Sequence, residues 1–172
     1  MARRHDTTRS GALTHQLVVL PAKGEAGTAV TCALDQTREG SGIDIRDAAV
    51  LTVRPPDVCV TEPADDWPGR RRLGHRWWEA LAAALRDVGG CSTHEAHADS
   101  CYRDLVEAGM SRSFLEEAAM AVAATSTTVV LLADRVDVRT LLPKLEKGKF
   151  MRVIYGWLPD AAVDELATSS QT

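Results

Sequence analysis

The chain has 172 residues, enough for one domain that buries its own core without needing disulfide or metal staples. Its 45% hydrophobic and 26% charged residues sit near the globular averages, which excludes wholesale disorder, and no run of about eighteen apolar residues offers a membrane-spanning helix. A formal net charge of -4 argues against general affinity for nucleic acid, although basic residues gather at Arg3, Arg4 and Arg9 and again in RRRLGHRWW.

The amino end, MARRHDTTRSGALTHQ, is positively charged but lacks the apolar stretch of a secretory signal. Residues 1–15 therefore read as a flexible tail, and the expected location is cytoplasmic. Gln16 to Pro21 is a short continuous apolar run stopped by Pro21 and Gly24, the pattern of a buried strand. From Glu25 to Arg38, Ala29, Val30, Ala33, Leu34 and Thr37 recur at helical spacing, and Gly40 with Gly42 supplies the stop. Asp44 to Arg54 is a second strand through Val50, Leu51, Thr52 and Val53, closed by Pro55 and Pro56.

Residues 55–126 read as an insertion, turn-rich at first (TEPADDWPGR) and then helical. Leu73, Trp77, Leu81, Leu85 and Val88 make one stripe, with Ala82, Ala83 and Ala84 beside it, and Gly89-Gly90 ends that helix. Ser92 with Glu95 has the form of a capping box that opens a second helix running to Gly109. Ser113 with Glu116 repeats the device for a third helix, Phe114 to Thr125.

Beyond the insertion the first order returns. Thr127 to Ala133 is strand-like, Val138 to Lys147 is amphipathic through Val138, Leu141, Leu142 and Leu145, and Met151 to Leu158 is strand-like again. Residues 161–172 are a C-terminal helix or tail. The expected fold is α+β and ferredoxin-like: a duplicated β-α-β giving a four-stranded antiparallel sheet with helices on one face, interrupted by the helical insertion. All of it belongs to a single domain over residues 16–160.

The front stretch LVVLPAKGEAGTAVTCALDQTREGSGIDIRDAAVLTVRP, together with the back stretch from Ala108 to Leu166, resembles the bacterial family of domains of unknown function number 1269, a predicted membrane-associated family. The landmarks are the DAAVLTV strand, the AGMS turn before Phe114 and Leu115, the entry Ser126-Thr127-Thr128 to VVLLA, and the helix and strand after it. They span about two thirds of the chain. In that family a Gly- and Ala-rich apolar hairpin joins the halves, whereas RRRLGHRWWEALAAALRDVGG and CSTHEAHADSC stand in its place here. The resemblance implies membrane association, and it implies no reaction and no catalytic residues.

The segment CSTHEAHADSC places Cys91, His94, His97 and Cys101 at C-x2-H-x2-H-x3-C spacing, and thiolate with imidazole is the ligand set that tetrahedral zinc prefers. A straight helix from Cys91 to Cys101 would hold its ends roughly 15 Å apart, so four ligands meet on one ion only if the segment is a loop. Otherwise a pair such as His97 and Cys101 binds, with ligands from elsewhere such as His75. The plainer alternative makes the segment the polar start of a packed helix that needs no cofactor. Zinc would make the chain a metal-binding sensor or a small metal-dependent enzyme.

Arg70, Arg71, Arg72 and Arg76 lead into a helix bearing Trp77 and Trp78, the composition of an interfacial segment. Such a segment contacts a membrane surface or a protein partner. Alternatively its Trp and Leu stripe packs on its own domain or on a twin subunit, because Glu79 and Asp87 interrupt the basic face. No helix-turn-helix, zinc-finger pair or RNP-type aromatic pattern accompanies the arginines, so nucleic acid is not an expected partner. No P-loop, G-x-S-x-G, dinucleotide fingerprint or H-E-x-x-H occurs, and Cys32 and Cys59 read as buried or inert residues rather than nucleophiles. The function expected from sequence is a non-enzymatic association module, a homo-oligomer that works peripherally at a membrane surface or on a protein partner.

Overall fold

The computed structural model describes residues 15–22, 44–54, 57–61, 75–88, 102–135, 137, 139, 150 and 152–169. The apolar runs LVVL (17–20) and VVLLA (129–133) have no polar alternation, and a strand of that kind needs both of its faces covered. They lie in β1 (His15–Ala22) and β4 (Thr127–Arg135), which pair antiparallel in the interior of a five-stranded sheet. β2 (Asp44–Arg54) flanks β4, β3 (Asp57–Thr61) lies outside β2, and β5 (Ile154–Leu158) closes the other side against β1, so the order is β3-β2-β4-β1-β5. Every neighbouring pair is antiparallel.

The four expected strands are all present, but the sheet has five strands rather than four. The added member is DVCVT, which the sequence reading assigned to the turn-rich start of the insertion. Arg54 and Asp57 are ladder partners, so only residues 55 and 56 separate the two strands of this hairpin. Two prolines at those positions end a strand as expected, yet they also allow the chain to reverse at once. Cys59 is accordingly an exposed residue of an edge strand, not a loop or buried one. His15, counted with the flexible tail on sequence, is the first residue of β1. The helices expected over 25–38 and 138–147 fall outside the described residues.

The helices of the insertion pack on the sheet. α1 (His75–Val88) turns a broad apolar side inward through Trp77, Trp78, Leu81, Ala82, Ala84 and Leu85, and it contacts β3. A helical stretch over 102–107 follows and ends at Gly109, whose φ of 101° only glycine adopts cheaply. There the Met110 N–H donates to the Leu105 carbonyl and the Gly109 N–H to that of Val106, a Schellman motif sealed by the buried side chains of Leu105 and Met110. α2 (Arg112–Ala124) is capped by Ser111, whose hydroxyl accepts from the Phe114 N–H. Ser111, two residues before the expected capping serine, is therefore the N-cap, because it alone keeps the extended backbone that a cap requires. α3 (Asp160–Ser169) follows β5 directly.

Leu17, Val19, Ala49, Leu51, Val130 and Leu132 meet these helices in the larger core. Val18, Leu20, Ala22, Ala48, Val129 and Leu131 form a second buried cluster on the other face, joined by Ile45, Val50, Phe150 and Val153. The alternation of side chains along β1, β2 and β4 thus feeds two cores, one per face. At the carboxyl end of α2 the Thr125 hydroxyl donates to the Ala121 carbonyl and lies 2.9 Å from the Thr128 hydroxyl, which ties the helix to the start of β4.

Candidate functional site

The two indoles of the expected contact helix point into the protein. Trp77 is 2% exposed and Trp78 is fully buried, their rings meeting edge to face with centroids 4.8 Å apart. Trp77 Nε1 donates to the Val163 carbonyl of α3 at 3.2 Å, while the buried Trp78 Nε1 has no hydrogen-bond partner. The Trp and Leu stripe therefore packs on its own domain. Arg76 stands on the exposed side of α1 with His75 and Glu79, the latter two joined Nε2 to Oε1 at 3.3 Å. Arg70, Arg71 and Arg72 lie outside the described residues, as do Cys91, His94, His97 and Cys101. Among the described residues no three His, Cys, Asp or Glu side chains gather to hold a metal ion, and no helix is long and apolar enough to cross a membrane.

One charged cluster gathers at an end of the sheet. Asp134 of β4 accepts from His15 Nδ1 at 2.8 Å and is also bound by the Arg46 guanidinium from β2. His15 Nε2 lies 3.6 Å from an Asp160 oxygen at the start of α3. Arg46 reaches this group because β2 is irregular there: Ile45 pairs with Ala133 and Asp47 with Leu132, so the register with β4 skips Arg46. A bulged residue of this kind swings its side chain out of the regular alternation. A carboxylate orienting an imidazole is half of a general-base device, but the other imidazole nitrogen faces a second carboxylate instead of a hydroxyl or thiol. The cluster joins β1, β2, β4 and α3 and carries no nucleophile. Tyr102 offers no acid or base near neutrality either, since its burial, reinforced by the Glu116 carboxylate, raises the phenol above its ordinary value.

The more distinctive surface is at β5. Its burial alternates: Ile154 and Leu158 are buried, while Tyr155 is 52% and Trp157 49% exposed. Both aromatic rings stand on the face opposite α2, because Gly156 between them faces the Phe114 ring so closely that a Cβ would lie 2.5 Å from its Cγ. β5 is also the last strand of the sheet, and its outer side has no ladder partner among the described residues. Beneath the aromatic pair lies Gln16, the ladder partner of Trp157, whose buried Oε1 has no hydrogen-bond partner. Period-two spacing in IYGWL places Tyr155 and Trp157 on one face; what sequence does not disclose is that both rings stay half-exposed there.

Comparison with protein-family models, with curated proteins and with solved structures finds no match for this chain. The functional reading therefore rests on the residues and their geometry.

Proposed function

We propose that this chain is a non-enzymatic α+β module that works by association, and that β5 is its main contact surface. The observation that carries this reading is the pair of large aromatic side chains, Tyr155 and Trp157, half-exposed side by side on a strand whose outer side has no ladder partner among the described residues. Apolar rings beside open backbone donors and acceptors favour pairing with another strand. No described constellation supplies a nucleophile with its base, which favours binding over catalysis.

The antiparallel order β2-β4-β1-β5 supports a ferredoxin-like duplicated β-α-β, in which residues 23–43 and 136–153 would be the crossover connections and β3 an addition at one edge. The resemblance to a membrane-associated family supports a second contact, with a membrane surface or a protein partner. Because both indoles of α1 are in the core, that contact falls to Arg76 and to the basic run Arg70, Arg71 and Arg72.

Native mass spectrometry of untagged protein purified without chelator tests the reading. The expected spectrum contains a metal-free species of more than one subunit in equilibrium with the single chain. A lone monomer at every concentration would overturn it. A stoichiometric zinc-sized mass that disappears in His94→Ala/His97→Ala would instead favour the metal-binding sensor or metal-dependent enzyme built on Cys91, His94, His97 and Cys101.

A further inference from the structure

We infer that the occupant of the β5 edge is a second copy of this chain, its own β5 laid antiparallel across a two-fold axis at Gly156. The inference rests on the self-association reading above and names its surface and register. An isologous contact requires a self-complementary strand, and β5 meets that requirement on both of its faces.

On the face of the two half-exposed rings, a register with Gly156 against its counterpart sets Tyr155 of each copy opposite the partner's Trp157. Directly opposed residues of an antiparallel pair hold their Cβ atoms about 5 Å apart, the spacing at which aromatic cross-strand pairs form. Two such pairs would cover the four half-exposed rings of the dimer, Tyr155 and Trp157 from each copy. On the helix-bearing face Gly156 contributes no side chain of its own, and the Phe114 ring of the same copy covers that position.

The charges at the ends of the strand agree with the same register. Arg152 lies two residues before Ile154, and Asp160 lies two residues after Leu158. Both belong to the helix-bearing face: Arg152 reaches Glu117 of α2 at 3.2 Å, and Asp160 approaches His15 at 3.6 Å. Beyond the strand ends, this register brings Arg152 of one copy toward the start of the partner's α3, where Asp160 stands, and the symmetry does this twice. A parallel arrangement would instead set each of these charges beside its like. β5 itself carries no lysine, proline or charged residue of the kind that discourages pairing at an edge. A seam of five residues buries less than the roughly 1,200 Å² of a standard interface, so the dimer is expected to be weak and dependent on protein concentration.

Sedimentation velocity on the full chain over a wide concentration range tests the proposal, with thermal melting as the check on folding. The wild type is expected to dimerise, and Trp157→Glu and Tyr155→Glu to weaken dimerisation by about tenfold or more. Arg152→Asp and Asp160→Arg should each weaken it as well, whereas the double variant with the charges exchanged should recover a large part of the loss. If one aromatic variant fails to fold, the charge series still reads the register. A dimer that both aromatic variants leave intact would overturn the β5 seam while leaving self-association standing. Dimers lost in the aromatic variants but not recovered by the charge exchange would overturn the register. A monomeric wild type would overturn both the seam and the association reading.

Discussion

Trp77 and Trp78 are adjacent, both buried, and chemically alike, yet their indole N–H groups meet different fates. That of Trp77 donates to the Val163 carbonyl, while that of Trp78 has no acceptor. Replacing Trp77 by Phe removes a hydrogen bond as well as volume and leaves a carbonyl to find a new donor. Replacing Trp78 by Phe removes an unsatisfied donor, which offsets part of the lost packing. Trp77→Phe is therefore expected to cost about 1 kcal/mol more stability than Trp78→Phe, measured by urea unfolding. Equal losses would mean that the two N–H groups have equivalent surroundings. Asp134 invites a second test at this scale, because its carboxylate serves both His15 and Arg46. Asp134→Ala is expected to cost roughly 1–3 kcal/mol, and Asp134→Asn less, since the amide oxygen still accepts. None of these three residues was a candidate site residue in the sequence. His15 and Asp134 are 119 positions apart, and only the pairing of β1 with β4 makes them neighbours.

The interior and the edges of the sheet have different signatures at the level of elements. β1 and β4 are continuous apolar runs because both of their faces meet a core, and that pattern was legible before any coordinates. β5 alternates because Ile154 and Leu158 are buried while Tyr155 and Trp157 stay half-exposed, and IYGWL reads as a strand without saying which residues those are. DVCVT escaped notice because two prolines ahead of it end one strand as convincingly as they start a hairpin. The contact between β5 and α2 carries its own prediction. Gly156→Ala drives a methyl group into the Phe114 ring and is expected to cost roughly 1–3 kcal/mol, with most of the cost removed in a Phe114→Leu background. A cost unchanged by Phe114→Leu would place the strain elsewhere. At the start of α2, Ser111→Ala should cost about 1 kcal/mol, and Ser113→Ala less.

At the scale of the whole molecule, the proposed self-association would link stability to concentration. The melting temperature of the wild type is expected to rise with protein concentration, because the dimer stabilises only the folded chain. Trp157→Glu should flatten that dependence, and a wild-type melting temperature independent of concentration would count against a dimer under those conditions. The sequence by itself determined the α+β class, the apolar runs of β1 and β4, the apolar stripe of α1 and the lack of the established catalytic motifs. Each of these is a local pattern of apolarity, turn residues or motif spacing, and local patterns survive without knowledge of neighbours. Which way α1 turns its indoles, which strands are edges, which charges meet and which aromatic rings stay uncovered were decided by tertiary structure alone. The physical reason is that burial is a property of pairs of surfaces: Trp77 and Trp157 have the same side chain, and only what packs against each makes one a core residue and leaves the other half-exposed.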